Sequence, residues 1–390
     1  MTSLFHQLGH NYIWSIDSFC NGVGDGIILG PRYMEMEKVI ALPAWIRQQA
    51  MFDPQFYLPN SSEGFLSTYP FFPRVLARGF STTEWTAELA YESAFRCLDF
   101  QAQMDFSSVV IPTRFTEGMP GSYIENQTQL FVDPFVQACR EQNIQKPCLL
   151  QLVLNDQMIK DQDYRRNLLN WATGIEDLGG VYLIFPWSSN RKQIIDIEFL
   201  ISVMTFVHHL KATGMTVILG YMNTESLLYL ASDPDAVTMG SYENLRMFGI
   251  RPYQPKEEKT IRGPNARIYA SQLLQWIEHE YLGTIIRSIP NGGALFDDNE
   301  HRLLMFEPSY KWHFSKPEPY KHYFSSFSQQ FHRLITYTGH DRFDAIRYEV
   351  QRAIRNYRNL EDAGVVFNID SSGNHLGPWM TALNQFESTI

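Results

Sequence analysis

The stretch MTVILGYMNTESLLYLASDPDAVTMGSY, residues 215–242, decides the fold class. It begins with a short apolar strand (VILG), continues as a helical segment (TESLLYLA), and returns at once to a second apolar strand (AVTMG). Both strands are near-continuous apolar runs, a pattern typical of strands that are buried on both faces. A strand, a helix and a second strand in close succession predict a parallel β-α-β unit.

The same alternation repeats along the chain. Five further apolar segments are predicted strands: GDGIILGPRYM, MFDPQFYLP, SSVVIPTRF, PCLLQLVLND and VYLIFPWSS. The clearest helix, DIEFLISVMTFVHHLKATG (196–214), ends with Lys211 and Gly214, as helices commonly do. Regular spacing over about 250 residues favours a closed (β/α)₈ barrel over an open sheet. We predict this α/β barrel for residues 1–290 and a helical, locally basic extension for residues 291–390.

The composition predicts a cytoplasmic protein with a sizeable core. The 390 residues are 44% hydrophobic and 19% charged, and no apolar run reaches the roughly 18 residues that span a bilayer. The first residues lack the features of a signal peptide. Cys20, Cys97, Cys139 and Cys148 form no CxxC pair, so we expect reduced, buried thiols and no metal site. No GxGxxG or GxxxxGK[ST] motif follows the first predicted strand, and no cofactor is predicted.

Reactive side chains of (β/α)₈ barrels lie where the strands end. The candidates for substrate binding at these ends are Arg32, Gln55, Arg114, Asn155, Asp156, Trp187, Gly220, Tyr221 and Tyr242. Asp53 has the same placement, within MFDPQFYLPN (51–60). Because an Asp-Pro pair also initiates turns, a turn residue and a catalytic carboxylate are both open for Asp53 at this point.

Three segments follow one another in a distinctive order. The first is DGIILGPRYM (25–34), followed by FDPQFYL (52–58). The second is VILGYMNTESLLYLASDPDAVTMGSYENLRM (217–247), and the third is IRGPNARIYASQLL (261–274). Together they resemble the tRNA-guanine transglycosylase superfamily, whose members exchange a guanine for a 7-deazaguanine base. The likeness covers roughly residues 24–275 as an ordered pattern rather than as identities.

The resemblance implies a carboxylate that attacks the anomeric carbon of a nucleotide and displaces its base. The incoming base then takes the sugar from the covalent glycosyl-enzyme. Such chemistry needs a nucleophilic carboxylate and a second acid/base group. Asp53 matches the family's Asp on the second strand. The family's second Asp would lie within AVTMGSY (236–242), which holds no carboxylate. Glu243, just beyond it, is the substitute, with a rim residue of no chemical role as the alternative.

Other family positions also differ in this chain. The residues that correspond to the family's base-recognition positions are Arg114, Asn155, Phe185, Pro186 and Trp187. Gly220 keeps the family identity. The zinc site of tRNA-type members, three Cys and one His, is missing because no cysteine follows Cys148. We therefore expect a diverged branch, such as the DNA-directed 7-deazaguanine transglycosylases, or a binding protein that has lost the chemistry.

The C-terminal third has the features of a nucleic-acid-binding surface. Basic residues outnumber acidic ones between residues 251 and 360, although the net charge of the chain is −10. SYKWHFSKPEPYKHYF (309–324) interleaves cations with aromatic rings, a pattern typical of single-strand recognition. The candidates for nucleic-acid binding are Lys311, Trp312, Lys316, Lys321, Arg347 and Arg355. The alternative is a solvated face whose aromatic rings cover the barrel and whose arginines pair with neighbouring acids.

The sequence thus predicts a pentosyltransferase that exchanges guanine for a 7-deazaguanine base in DNA or tRNA. The alternative is a catalytically degenerate barrel that binds nucleic acid or a nucleoside within a homo-oligomer or a larger protein assembly. In a third interpretation, an unrelated barrel hydrolase, Asp156 and Glu243 would face each other across the pocket. DNA, tRNA and a free nucleoside all stay open as substrates.

Overall fold

The main sheet is a barrel of parallel strands. The computed structural model describes residues 2–77, 85–186, 191–255 and 263–390. The strands are β1 (Ser3–Gln7), β2 (Gly26–Leu29), β3 (Ala50–Phe52), β4 (Val109–Ile111), β5 (Cys148–Val153), β6 (Leu178–Ile184), β7 (Thr216–Gly220) and β8 (Ala236–Gly240). Their order is β3-β2-β1-β8-β7-β6-β5-β4, and a bridge from Met51 to Ser108 joins the two outer strands. The sheet is a nearly closed (β/α)₈ barrel, and the predicted fold class is confirmed.

Strand β1 is not predicted by the sequence. Its five residues, SLFHQ, include three polar ones, yet the strand pairs with both β2 and β8. The His6 ring contacts the Val23 carbonyl oxygen at 2.8 Å, and the Gln7 amide oxygen accepts a hydrogen bond from Tyr182. Both polar side chains are buried. A strand that buries polar groups on both of its faces lacks the apolar run by which the other strands were predicted.

Helices alternate with the strands and continue beyond them. The helices are α1 (Tyr12–Cys20), α2 (Met36–Ile40), α3 (Ala44–Arg47), α4 (Pro73–Leu76), α5 (Ala87–Gln103), α6 (Tyr123–Gln127), α7 (Asp133–Glu141), α8 (Asp156–Lys160), α9 (Gln162–Gly174), α10 (Ile197–Ala212), α11 (Ser226–Tyr229), α12 (Leu282–Ser288), α13 (Glu300–Phe306), α14 (Glu318–Ile335), α15 (Gly339–Asp362) and α16 (Leu376–Glu387). Helix α10 begins where the Asp196 carboxylate accepts the Phe199 N–H at 3.0 Å. The chain leaves α10 through Gly214, whose φ is +85°.

The core lies between the strands and the helices that cover them. All six residues of β5 are buried, which accounts for its apolar sequence. Cys97, Cys139 and Cys148 are buried free thiols, as predicted. Cys20 is also free but exposed, so the prediction of burial is wrong there. It ends helix α1 on the solvent side, while the preceding Phe19 takes the buried position.

The C-terminal segment packs directly on the barrel. It contains an antiparallel hairpin, β9 (Arg267–Ala270) and β10 (Gln275–Glu278), and helices α12 to α16. Trp379 of α16 is buried, and its Nε1 donates to the Ile194 carbonyl oxygen at 2.9 Å. Phe324 of α14 meets the His6 ring edge-on, with ring centroids 4.7 Å apart. None of the helices within the described ranges is both long and apolar enough to cross a membrane.

Candidate active site

Asp53 lies at the carboxyl end of β3, inside the mouth of the barrel. Its N–H continues the pairing of β3 with β2 by donating to the Leu29 carbonyl oxygen at 2.9 Å. The residue is completely buried. Its Oδ1 accepts the Gln55 N–H at 2.9 Å, the hydrogen bond of an Asx turn. Asp53 is therefore a turn residue, as one interpretation predicts, and also a buried carboxyl at a strand end.

The Asp53 carboxyl accepts hydrogen bonds from a side chain of β5 and from one in the segment after β3. Gln151, in the middle of β5, donates from Nε2 to Oδ1 at 2.7 Å. The Tyr57 hydroxyl donates to Oδ2. Burial raises the pKa of Asp53 to about 6, and these hydrogen bonds from Tyr57 and Gln151 limit the rise. A carboxyl with such a pKa exchanges its proton near neutral pH, as general acids and bases do.

Tyrosine rings surround this carboxyl on several sides. Tyr57, Tyr182, Tyr221 and Tyr253 are all buried, and burial raises the pKa of each. The Gln55 Nε2 donates to the Tyr221 hydroxyl at 3.1 Å. These phenols therefore stay protonated and are available to Asp53 as neutral hydrogen-bonding groups.

Gly220 makes room for one of these rings. A Cβ atom at Gly220 would lie 2.4 Å from the Tyr182 ring, closer than any real contact. Tyr221, the next residue, has a positive φ of +57°. The end of β7 is thus shaped by the ring of Tyr182, and Gly220 is needed for packing at the mouth.

The loop that follows β8 covers the carboxyl of Asp53. Its Phe248 packs on Tyr57 with ring centroids 4.7 Å apart, and Tyr253 packs on Tyr57 at 5.1 Å. Arg32 Nε donates to the Pro252 carbonyl oxygen at 2.9 Å, and Ser61 Oγ donates to that of Tyr253 at 2.6 Å. Arg32, a predicted substrate-binding residue, here anchors this loop.

Glu243 lies at the rim, in contact with a lysine. Its Oε1 is 2.6 Å from Lys192 Nζ, and its side chain is 45% exposed. The hydrogen bonds to Asp53 come from Gln55, Tyr57 and Gln151 instead. The structure therefore shows no hydrogen bond between the two carboxylates that the sequence predicts as a pair, and Glu243 is held by Lys192.

A different carboxyl, Glu225, faces the mouth from the loop after β7. Its Oε1 accepts the Asn223 N–H at 3.0 Å, whereas its buried Oε2 has no hydrogen-bond partner among the described residues. Burial raises the pKa of Glu225 to about 7. Glu225 and Tyr221 line the same cavity. Since the Tyr221 hydroxyl also accepts from Gln55, Tyr221 connects the cavity of Glu225 with the surroundings of Asp53.

The remaining strand-end candidates line a second, open cavity or lie apart. This cavity of about 280 Å³ is bordered by Asn155 and Asp156. Arg114 is half-buried, and its backbone N–H donates to Gln127. Tyr242 accepts a hydrogen bond from Asn11 and contacts the Tyr320 ring, so it helps to hold the extension. Trp187 lies outside the described residues.

Asp156 and Glu243 do not form a carboxylate pair. Asp156 borders the cavity of about 280 Å³ and lies 3.8 Å from Lys160. Glu243 borders a different cavity together with Lys192. The arrangement that would favour an unrelated barrel hydrolase is therefore not found.

The candidates for nucleic-acid binding differ in their surroundings. Lys321 forms an ion pair with Asp17, and Arg347 pairs with both Asp344 and Glu387. These contacts fit the alternative of a solvated, self-paired face. Trp312 stacks on His279 at 5.3 Å.

The other cations of this surface point to solvent. Lys311, Lys316 and Arg355 are exposed. Lys316 lies 5.9 Å from the Tyr310 ring and Arg355 lies 6.0 Å from the Tyr348 ring. These three side chains stay candidates for contact with phosphate groups.

Comparison with known sequences adds no family. No family model matches the chain, and no curated protein matches it either. Within the ranges that the structure describes, no group of three His, Cys, Asp or Glu side chains is placed to hold a metal ion. The resemblance to the transglycosylases stays a prediction.

Proposed function

We propose that this barrel exchanges a base at a glycosidic bond in nucleic acid, replacing guanine by a 7-deazaguanine base in DNA or tRNA. The observation that carries the proposal is the Asp53 carboxyl, buried at a strand end of a (β/α)₈ barrel and held by Tyr57 and Gln151. Strand ends are where barrels of this type place their reactive groups. Its pKa of about 6 leaves most of the carboxyl ionised at neutral pH.

The reaction requires a second carboxyl, and Glu225 suits it better than Glu243. Ionised Asp53 attacks C1′ as the C1′–N9 bond breaks, and guanine leaves with a proton from Glu225. The incoming base returns its N9 proton to Glu225 while N9 displaces Asp53 from C1′. A pKa of about 7 keeps Glu225 partly protonated when Asp53 is mostly ionised. Two carboxyls whose pKa values are set apart are what glycosidic exchange needs.

Access to Asp53 requires the loop after β8 to move. Phe248 and Tyr253 now occupy the space above Tyr57. A nucleotide reaches the carboxyl only when these rings swing away, and loops of barrel enzymes commonly open and close in this way.

The test follows radiolabelled guanine into tRNA and into DNA. We expect incorporation by the wild type and a loss of roughly a thousandfold in Asp53→Asn, which lacks the nucleophile. Glu225→Gln should lose on the order of a hundredfold, the usual contribution of a general acid. Asp177→Asn, which alters a surface ion pair with Arg140, is the control with full incorporation.

Two outcomes would change this assignment. Full incorporation by Asp53→Asn would refute the proposed nucleophile. Loss of incorporation in Glu243→Gln together with full activity in Glu225→Gln would restore Glu243 as the second carboxylate. Glu243 would then have to leave Lys192, its partner at 2.6 Å.

A second candidate function is a binding barrel without chemistry. It is favoured by the complete burial of Asp53, next to Tyr57 on which Phe248 and Tyr253 pack. No incorporation into either polymer, with labelled tRNA or DNA still retained on a filter by the wild type, would support this function. If the wild type neither incorporates guanine nor retains labelled tRNA or DNA on a filter, the binding function is excluded.

A further inference from the structure

A buried arginine near the mouth has free hydrogen-bond donors. Arg246, in the loop after β8, is only 7% exposed. Its Nε and Nη1 have no hydrogen-bond partner among the described residues. No carboxylate in the described ranges lies within 4.0 Å of its guanidinium, and Glu243, the acid three residues earlier, is paired with Lys192. Burial of a charge without a direct ion pair is costly. Glu243 and Glu225 act on Arg246 only from beyond 4.0 Å, so a direct counter-charge is left for a ligand to supply.

Aromatic rings fix the plane of this guanidinium. Its Cζ lies 3.8 Å from the centre of the Trp276 ring and 5.5 Å from that of Tyr323. The Trp276 Nε1 and the Tyr323 hydroxyl are likewise buried and without partners among the described residues. Arg246 and the two rings that it contacts thus carry four hydrogen-bonding groups without partners among the described residues. Clustered donors with a forked guanidinium edge are the usual means of binding carboxylate or phosphate.

Two small cavities adjoin the guanidinium. They enclose about 20 and about 10 Å³ and share Lys192, Asn223, Arg246 and Met247 in their walls. Each is large enough for about one water molecule. Lys192 and Met247 are the partly exposed residues of the shared wall. An outward swing of these two side chains would join the cavities and open them to solvent.

We propose that Arg246 binds an oxyanion, the phosphate or carboxylate group of a ligand that enters beside Lys192 and Met247. Glu225, whose Oε2 has no hydrogen-bond partner among the described residues, lines the first cavity together with Arg246. Glu225 is more than the 4.0 Å of an ion pair away from Arg246, and in its protonated form it would add a further donor to the oxyanion. The proposal does not depend on base exchange, because the anion site is defined by Arg246 and its aromatic neighbours alone.

The experiment titrates inorganic phosphate and acetate into the full chain in a phosphate-free buffer. Sodium chloride at matched ionic strength is the reference, and the readouts are the midpoint of thermal unfolding and the heat of binding. We expect phosphate, acetate or both to raise the midpoint of the wild type with increasing concentration, as a ligand of the folded state must. Arg246→Gln should weaken this binding at least tenfold. Arg140→Gln, at a surface ion pair, should bind like the wild type.

A second variant distinguishes the contribution of the planar guanidinium edge from that of the positive charge. Arg246→Lys keeps a cation but loses the planar edge, so we expect binding weaker than in the wild type and stronger than in Arg246→Gln. It also serves as the test if Arg246→Gln does not fold. In the sodium chloride reference buffer, without phosphate or acetate, Arg246→Gln should unfold at no lower temperature than the wild type, because the substitution removes a buried charge that has no ion pair. A merely structural arginine would give a clear loss instead.

The responses to the two anions distinguish a phosphoryl group from a carboxylate as the bound oxyanion. A response to phosphate but not acetate supports the proposal and assigns a phosphoryl group, and the reverse assigns a carboxylate. A response no larger than that to chloride would overturn the proposal, as would an undiminished response in both Arg246 variants.

Discussion

Burial of the Asp53 carboxyl destabilises the folded state whenever this group is ionised. Its pKa is about 6 in the folded chain, against 3.8 for an unperturbed Asp. Below pH 4 the group is protonated in the folded and unfolded states and causes no penalty. Between pH 4 and 6 the folded state holds the proton that the unfolded state has lost, so its contribution to stability falls as pH rises. Above pH 6 the penalty is constant.

This linkage predicts the pH dependence of Asp53→Asn. The neutral amide cannot ionise, so the variant should gain stability relative to the wild type as pH rises from 4 to 6. A shift of two pKa units corresponds to about 3 kcal/mol, and imperfect hydrogen bonding of the amide to Tyr57 and Gln151 adds a constant offset. Urea unfolding of both proteins across this range measures the difference. A difference that does not change with pH would show that the carboxyl is not buried as described.

Gly220 permits a second prediction about the mouth. A methyl group at this position would overlap the buried Tyr182 ring. The hydroxyl of Tyr182 donates a hydrogen bond to the Gln7 amide oxygen at 3.2 Å, which holds the ring in place. We expect Gly220→Ala to lower the free energy of unfolding by about 1–3 kcal/mol, as overpacking does. Gly249→Ala is the matched control, because a Cβ there meets no atom within 4 Å. Equal stability of the two variants would contradict this packing.

One of the hydrogen bonds that hold the loop after β8 can be removed by a single substitution. Ser61 is buried, and its hydroxyl donates to the Tyr253 carbonyl oxygen at 2.6 Å. We expect Ser61→Ala to cost about 1–2 kcal/mol and to speed hydrogen exchange of the amides of residues 248–254. Ser388→Ala, which removes a hydroxyl from an exposed helix end, is the control. Unchanged exchange in residues 248–254 would mean that other contacts hold the loop.

The sequence predicts strands well where apolar runs are long and poorly where a strand buries polar side chains. Seven of the eight barrel strands follow from buried apolar segments. Strand β1 escapes prediction because buried polar residues interrupt its apolar pattern: Gln7 reaches Tyr182, whereas His6, on the opposite face of the strand, packs against Phe324 of α14. Its role as the eighth strand becomes visible only through its pairing with β2 and β8.

The same limit applies to the candidate site. The position of Asp53, Gln55 and Tyr221 at strand ends follows from the sequence, since strand ends can be read from it. Gln151 lies inside β5, where a single polar residue within CLLQLV was the available signal. Glu225 lies five residues beyond β7 and its carboxyl folds back locally onto the Asn223 N–H; what the sequence does not show is the burial of this carboxyl in a cavity that it shares with Arg246 and Phe185. Glu243 is a strand-end residue whose partner, Lys192, is distant in sequence.

Surface charge on the extension yields a prediction for the whole protein. Lys311 and Lys316 are exposed, whereas Arg347 is held by two carboxylates. If the extension binds nucleic acid, Lys311→Glu with Lys316→Glu should weaken filter retention and lower the slope of binding against salt by about two. Arg347→Ala should leave both unchanged because its charge is already neutralised. Retention that depends on Arg347 but not on the lysines would place the binding surface elsewhere.

The extension and the barrel should unfold as one unit, because their contacts are central to both. Trp379 of α16 is 1% exposed and donates to Ile194, a residue that also lines the cavity of Glu225 and Arg246. Arg342 of α15 pairs with Asp233 and donates to the Leu230 carbonyl oxygen, between β7 and β8. We expect Trp379→Ala to cost about 3–5 kcal/mol while helix loss by circular dichroism and tryptophan fluorescence still change together in urea. Two separated transitions would show that the barrel folds without the extension, and the mouth would then keep its shape without α16.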